Sequence, residues 1–171
     1  KKNVIQNINI VCKKLNCDKK PIIILNQTHS NKVVCFNNPE KVKDKIVGDA
    51  IVTKLKNIGI GVLTADCVPI LFCDPKKKII GCVHAGWKGA LSGVIENTID
   101  KFLELNSNAR DLIAAIGPCI NHQRYEVGHD FYKKFVAQSK NNGRFFIISN
   151  DKKYLFNIRS YIDAKLIGLG I

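Results

Sequence analysis

Two apolar runs constrain this chain more than any other feature. One reads Thr64-Ala65-Asp66-Cys67-Val68-Pro69-Ile70-Leu71-Phe72, the other Gly81-Cys82-Val83-His84-Ala85-Gly86-Trp87-Lys88-Gly89. Each has the character of a buried strand joined to a polar corner marked by turn residues. Cys67 sits at the first corner and His84 at the second. A third run, Pro21 to His29, ends on another imidazole. Side chains at strand ends leave a rigid scaffold and face a cleft, so His29, Cys67 and His84 are expected to meet.

The surrounding chain alternates short strands with a few helices. Val4, Ile5, Ile8, Val11, Cys12 and Leu15 recur at helical spacing and predict an amphipathic helix over 2–16. Pro21 stops it, and a strand follows to His29, with Gln27 and His29 on one face. Val33–Phe36 predicts a short strand ended by a turn at Asn37-Asn38-Pro39. Asp49–Thr53 and Ile58–Thr64 read as a strand pair, and Pro69–Cys73 and Lys78–His84 as another that turns at Asp74-Pro75. Leu91, Val94, Ile95, Thr98, Ile99 and Phe102 predict one helix over 88–105. Leu112–Ile116 reads as a strand broken at Gly117-Pro118. A helix from Gly128 to Gln138, a strand at Phe145–Ile148 and a helix over 157–169 complete the chain. Strand pairs outnumber crossover units, so the expected class is α+β: a layered sandwich of mixed β-sheets flanked by helices.

Composition narrows the function. The 171 residues, 46% hydrophobic, suffice for one domain with a real core. No apolar run reaches the roughly 18–20 residues of a membrane helix. The start, Lys1-Lys2-Asn3-Val4, carries neither a signal sequence nor an initiator, and a shortened amino terminus is expected. The net charge of +13 invites a nucleic-acid partner. Only Arg110, Arg124, Arg144 and Arg159 are arginines, and no block interleaves Arg with aromatics; no nucleic-acid partner is expected. The seven cysteines form no C-x-x-C pair, which predicts reduced thiols and a cytoplasmic location.

Two imidazoles and a thiolate make a plausible zinc set with the fourth position open, the pattern of catalytic rather than structural zinc. Asp66 is placed to move a proton or to orient a ligand imidazole. Taken singly, a Cys in apolar surroundings is an ordinary core residue and a His an ordinary polar one. Gly86-Trp87-Lys88-Gly89 opens a helix, where free N–H groups and the Lys88 charge suit an anion; the alternative is a tight turn with Trp87 packed beneath it. The segments Gly117–Ile120 and Tyr125–Gly128 read as a loop beside the cleft, and His122 and His129 as surface residues.

Gln27-x-His29, Gly48-Asp49-Ala50-x-Val52-Thr53, Thr64-Ala65-Asp66-Cys67-x-Pro69, His84-Ala85-Gly86-Trp87-x-Gly89, Gly117-Pro118 and Tyr125-Glu126-Val127-Gly128 run in order. This series resembles the YfiH/laccase-domain family, once labelled multicopper polyphenol oxidases and now described as purine nucleoside enzymes. The resemblance implies a metal site of His29, Cys67 and His84 holding zinc; copper(II), which outcompetes zinc for most such ligands, is a second candidate occupant. It implies phosphorolysis of adenosine, inosine and methylthioadenosine, adenosine deamination, and a fold related to Cys–His toxin deamidases. Catalysis then falls to Cys67, His84 and Asp66, and substrate and phosphate binding to Gln27, Asp49 and Lys88. Lys88 stands where the family usually has Arg, and the family's terminal segments are not matched, so residues 1–171 are expected to be one catalytic domain lacking both ends.

Other chemistries compete. A blue-copper centre uses the same donors, with Gln27 replacing an axial Met, but a four-copper oxidase needs more than the four histidines here. The H-x-E and P-C-x-x-C signature of zinc deaminases is absent. A metal-free hydrolase would use Cys67 activated by His84, and a non-catalytic protein would only bind nucleosides or envelope peptides.

Overall fold

The computed structural model describes residues 2–15, 22–36, 38 and 46–171. The stop expected at Pro21, the turn at Asn37 and Pro39, and Cys17 lie outside them. The centre is a five-stranded mixed sheet in the order β2-β3-β6-β5-β7. Its strands are β2 (Val33–Phe36), β3 (Ala50–Thr53), β5 (Val68–Asp74), β6 (Ile79–Ala85) and β7 (Ile113–Ile116). β2 and β3 are parallel and the other neighbours antiparallel. Val68, Ile70, Phe72 and Asp74 alternate inward along β5, the period-two pattern of a sheet with one covered face.

The cover is helical. The single helix expected over 88–105 is two, α2 (Trp87–Ser92) and α3 (Val94–Glu104). Gly93, with φ of 97°, caps one and starts the other; glycine adopts that left-handed conformation without a Cβ penalty. Val94, Ile95, Thr98, Ile99 and Phe102 of α3 are buried. Phe102 fits because Gly81 has no side chain: a Cβ there would stand 2.8 Å from its ring.

The pairing expected between 49–53 and 58–64 is not formed. β4 (Gly59–Gly61) instead lies parallel to β1 (Ile22–Ile24) in a separate two-stranded sheet, while β3 is taken by β2 and β6. Buried Ile51 and Val52 find better cover in the centre of a sheet than at the rim of a hairpin. A third sheet, β8-β10-β9, joins β8 (Glu126–Gly128), β10 (Lys153–Phe156) and β9 (Phe146–Asn150). Only β9 was expected as a strand. This sheet packs with α4 (His129–Gln138) and α5 (Ile158–Gly168) through Phe131, Phe135, Phe146, Phe156 and Tyr161. The amino-terminal helix α1 (Lys2–Lys14) forms as expected, but Val4, Ile5, Val11 and Leu15 stay exposed and only Cys12 of its apolar face is buried. Among the described residues no helix is long and apolar enough to cross a membrane.

Candidate metal centre

The three expected donors converge. His84 is the penultimate residue of β6, Cys67 immediately precedes β5, and the β5–β6 register sets Val68 opposite Ala85. Antiparallel pairing thus brings the two corners together. The ligand atoms of His29, Cys67 and His84 all lie within 4.8 Å of one another, the one such cluster among the described residues. Cys67 Sγ stands 3.7 Å from His29 Nε2, about the separation of two ligand atoms on a tetrahedral ion with bonds of ~2.0–2.3 Å. The His29 and His84 rings meet edge to face at 4.8 Å. The site grades from buried His84 through half-buried Cys67 to exposed His29, so one side opens to solvent.

Asp49 organises this trio. Its carboxylate is fully buried and accepts from the backbone N–H of Thr28, His29 and Ser30 and from the Ser30 hydroxyl. The His29 N–H bond is 2.9 Å long, and His29 holds a φ of 60°, unusual for a side-chain-bearing residue. The same carboxylate lies 2.8 Å from His84 Nδ1. An ionised carboxylate only accepts, so Nδ1 carries the proton and Nε2 presents its lone pair. The backbone adds a second hold, since His84 N–H donates to the Asp49 carbonyl at 2.7 Å. Burial alone would raise the Asp49 pKa, but the hydrogen bonds from Ser30, His84 and Thr28 outweigh it and hold the carboxyl below its usual range.

Gly86 makes the room. A Cβ at this position would stand 2.6 Å from His29 Cδ2 and 3.2 Å from Cys67 Sγ, so any larger residue would displace the donors. The loop at Gly117 is tied to the Cys67 corner, with Ile120 N–H donating to the Asp66 carbonyl and Gly117 N–H to the Pro69 carbonyl. Tyr125, beyond that loop, is pushed up to about 12 by burial and by the nearby Cys67 and Asp66 charges, so its phenol stays protonated. Burial, with Asp66 and Asp49, also raises the Cys67 thiol.

The remaining expected residues divide. Asp66 is exposed beside Cys67, and the ring-orienting task considered for it is carried out by Asp49. Asp49 itself has no oxygen free for a substrate. Gln27 spends its amide on Leu63, donating to its carbonyl at 2.7 Å and accepting from its N–H at 2.8 Å. Lys88 is exposed on α2. Trp87 packs on Phe131 with ring centroids 4.8 Å apart, which favours the packed-turn alternative. His129 is exposed and bonds the Tyr154 hydroxyl, His122 is half-buried in a short turn, and neither joins the trio. An apolar groove of about 430 Å³ lies elsewhere, between Leu15, Ile60, Leu71 and Ile113, and contains none of the donors. The chemistry follows the donors, not that groove.

A mixed α+β fold with a His-Cys-His cluster at the end of its central sheet defines a protein that could hold a metal ion. The chain matches the Multi-copper polyphenol oxidoreductase laccase family over residues 1–171 and belongs to it. It is 40% identical over 151 residues to a protein of Rickettsia prowazekii named purine nucleoside phosphorylase RP494, covering 88% of this chain and 61% of that one. It is 30% identical over 156 residues to the Escherichia coli protein named purine nucleoside phosphorylase YfiH, covering 91% and 61%. The crystal structure of Neisseria meningitidis protein NMB0706 superposes with a TM-score of 0.85 at 29% identity, covering 98% of this chain and 66% of that one. The chain thus spans about three fifths of the length of these curated relatives.

Proposed function

We propose that this protein is a zinc-dependent purine nucleoside phosphorylase, acting on adenosine, inosine and methylthioadenosine, with adenosine deamination as a further activity. The observation that carries this reading is the His29–Cys67–His84 cluster with Asp49 behind it. Its donors suit zinc, its open side leaves room for a substrate, and Gly86 leaves the space an ion needs. The names of the relatives support the reaction class. When bound, zinc supplies a Lewis acid that polarises an oxygen at the site.

The chain's own residues supply the rest. Asp49 holds His84 in the ligating tautomer and fixes the turn that carries His29. In phosphorolysis a phosphate oxygen bonds to the ribose C1′ as the bond from C1′ to the purine nitrogen breaks, and the purine leaves with a proton. Asp66, exposed at the rim, is the group proposed to carry that proton, and Lys88 to neutralise the phosphate. The proposed partners are purine nucleosides and phosphate, in the cytoplasm; Cys12, Cys67, Cys73, Cys82 and Cys119 form no disulfide.

Copper(II) also accepts these donors, but the described residues hold one three-donor cluster, not the several that a multicopper oxidase requires. A metal-free Cys–His hydrolase of the toxin-deamidase kind would pair Cys67 with His84; the thiol's hydrogen-bond contact is instead with His29, at 3.7 Å. A Cys–His pair leaves one of the three converging donors without a task, whereas a metal ion uses all three. The test is metal analysis of protein purified without added zinc, with product chromatography after incubation with inosine or adenosine, with and without phosphate. Near-stoichiometric zinc and phosphate-dependent release of free purine are expected. Metal-free protein that is rapidly alkylated at Cys67, or purine release indifferent to phosphate, overturns the reading.

A further inference from the structure

We propose that Tyr125 is a further catalytic residue of this site, its phenol donating a hydrogen bond to the purine as the bond from C1′ to the base breaks. The assignment rests on the phosphorylase reading for its substrate. Tyr125 is brought to the metal centre from two sides. On one, Ile120 N–H donates to the Asp66 carbonyl at 3.0 Å and Gly117 N–H to the Pro69 carbonyl at 2.9 Å. The loop leading to Tyr125 is thereby fastened on both sides of Cys67. On the other, Trp87 follows Gly86, the residue against which His29 and Cys67 close. Trp87 packs on Phe131 with ring centroids 4.8 Å apart, and Phe131 meets Tyr125 edge to face at 6.1 Å. The phenol lies close enough to Cys67 and Asp66 for both of their charges to act on it.

The ring is fixed and its hydroxyl is not. Phe156 packs on the ring at 5.5 Å, while Tyr125 N–H donates to the His122 carbonyl at 3.2 Å and the Tyr125 carbonyl accepts from Phe156 N–H at 2.9 Å. Among the described residues the hydroxyl meets no hydrogen-bond partner, yet its oxygen is not sealed from solvent. Tyr154 and Tyr161 differ, for their hydroxyls bond His129 at 3.1 Å and Gln138 at 3.4 Å. Packing alone asks only for phenylalanine, the type of the neighbours Phe131 and Phe156, so the phenol oxygen is free for a ligand. Its proton stays on near neutrality, which makes it a hydrogen-bond donor rather than a proton source. When the C1′–nitrogen bond breaks, its electron pair goes to the purine, and negative charge spreads over the ring nitrogens. A fixed donor at that charge stabilises the transition state more than the ground state. The proton that the purine finally takes remains the task of Asp66, and Tyr125 keeps its own. Asp66 serves the departing base, so the base is the part of the substrate that its neighbour Tyr125 meets.

Zinc-loaded wild-type protein and Tyr125→Phe are compared at saturating phosphate on inosine, 7-methylinosine and 4-nitrophenyl β-ribofuranoside. The last two carry leaving groups that depart without a donor, one already cationic and the other a stable phenolate. Tyr125→Phe should lower kcat for inosine about a hundredfold, the scale of one preorganised donor, with KM little changed. The two activated substrates should be cleaved at close to the wild-type rate. Zinc affinity by chelator competition and the urea midpoint should match wild type, because the ring and its contacts remain. Tyr154→Phe removes a phenol that bonds His129 instead and should slow none of the three. Equal slowing of every substrate by Tyr125→Phe, or no slowing of inosine, overturns this assignment and leaves the phosphorylase reading standing. Wild-type protein that cleaves none of them overturns the phosphorylase reading, and the assignment with it.

Discussion

The β5–β6 hairpin has a closed end and an open end, and a fully buried aspartate sits at each. At the closed end Asp74 accepts from Lys77 N–H at 2.8 Å and from the Ser107 hydroxyl, tying the turn to the loop after α3. At the open end Asp49 accepts from three successive backbone N–H groups and from the Ser30 hydroxyl in the same way. Both carboxylates therefore do structural work on a chain reversal. The difference is one further donor: Asp49 also holds the Nδ1 of His84, and that ring has a second nitrogen to offer. A buried carboxylate becomes part of a reactive site when one of its donors can itself bind something else.

The open end is the more sensitive of the two. Cys67→Ala should abolish metal binding and phosphorolysis while the circular dichroism stays native, because the half-buried thiol contributes little packing; retained turnover would falsify the metal assignment. Asp49→Asn comes next, since its amide sets an N–H donor against donors that now meet oxygen. Metal affinity should fall about 10–100-fold and stability by about 2–3 kcal/mol, measured by competition with a chelator and by urea unfolding. Native metal affinity in this variant would reduce Asp49 to a loop anchor like Asp74. Gly86→Ala pushes a methyl group against His29 and Cys67; we expect weaker metal binding at a cost of about 1–3 kcal/mol in strain, and the crystal structure of the variant would show which donor moves.

The closed end should respond more weakly and without chemistry. Asp74→Asn is expected to lower the thermal midpoint and leave metal content and turnover at wild-type values. Its pH behaviour follows from the hydrogen bond donated by Ser107, foremost among the groups that hold the Asp74 carboxyl below its usual range. The unfolded chain then takes up this proton first, near pH ~3.9. The stabilisation is complete above that value and is lost as pH falls through the lower native pKa. Ser107→Ala brings the native pKa back towards the unfolded one, so acid unfolding should begin at a higher pH. An unchanged acid midpoint would mean that Asp74 does not set it.

The hairpin and the corner residues Cys67 and His84 were legible because strand period, turn residues and corner chemistry are local signals. The break at Gly93 was legible in principle, for a glycine in the middle of a helical pattern is a cap signal. The β1–β4 pairing was not, because parallel partners far apart in sequence leave no turn to read. β8 and β10 were missed for another reason: they are three and four residues long, too short for a period to show, although β10 pairs antiparallel with β9 across the turn at Asp151-Lys152. Asp49 lay in a quoted motif, yet its task was hidden: an acidic residue beside an apolar run looks the same whether it meets a substrate or the back of an imidazole.

By itself the sequence determined the residue types, the two apolar runs and the corners where function collects. The tertiary structure decided that three donors from separate segments share one point and that Asp49 rather than Asp66 stands behind His84. The physical reason is range. Backbone preference and hydrophobic period act over a few residues, whereas coordination and charge act through space between residues that only packing makes neighbours.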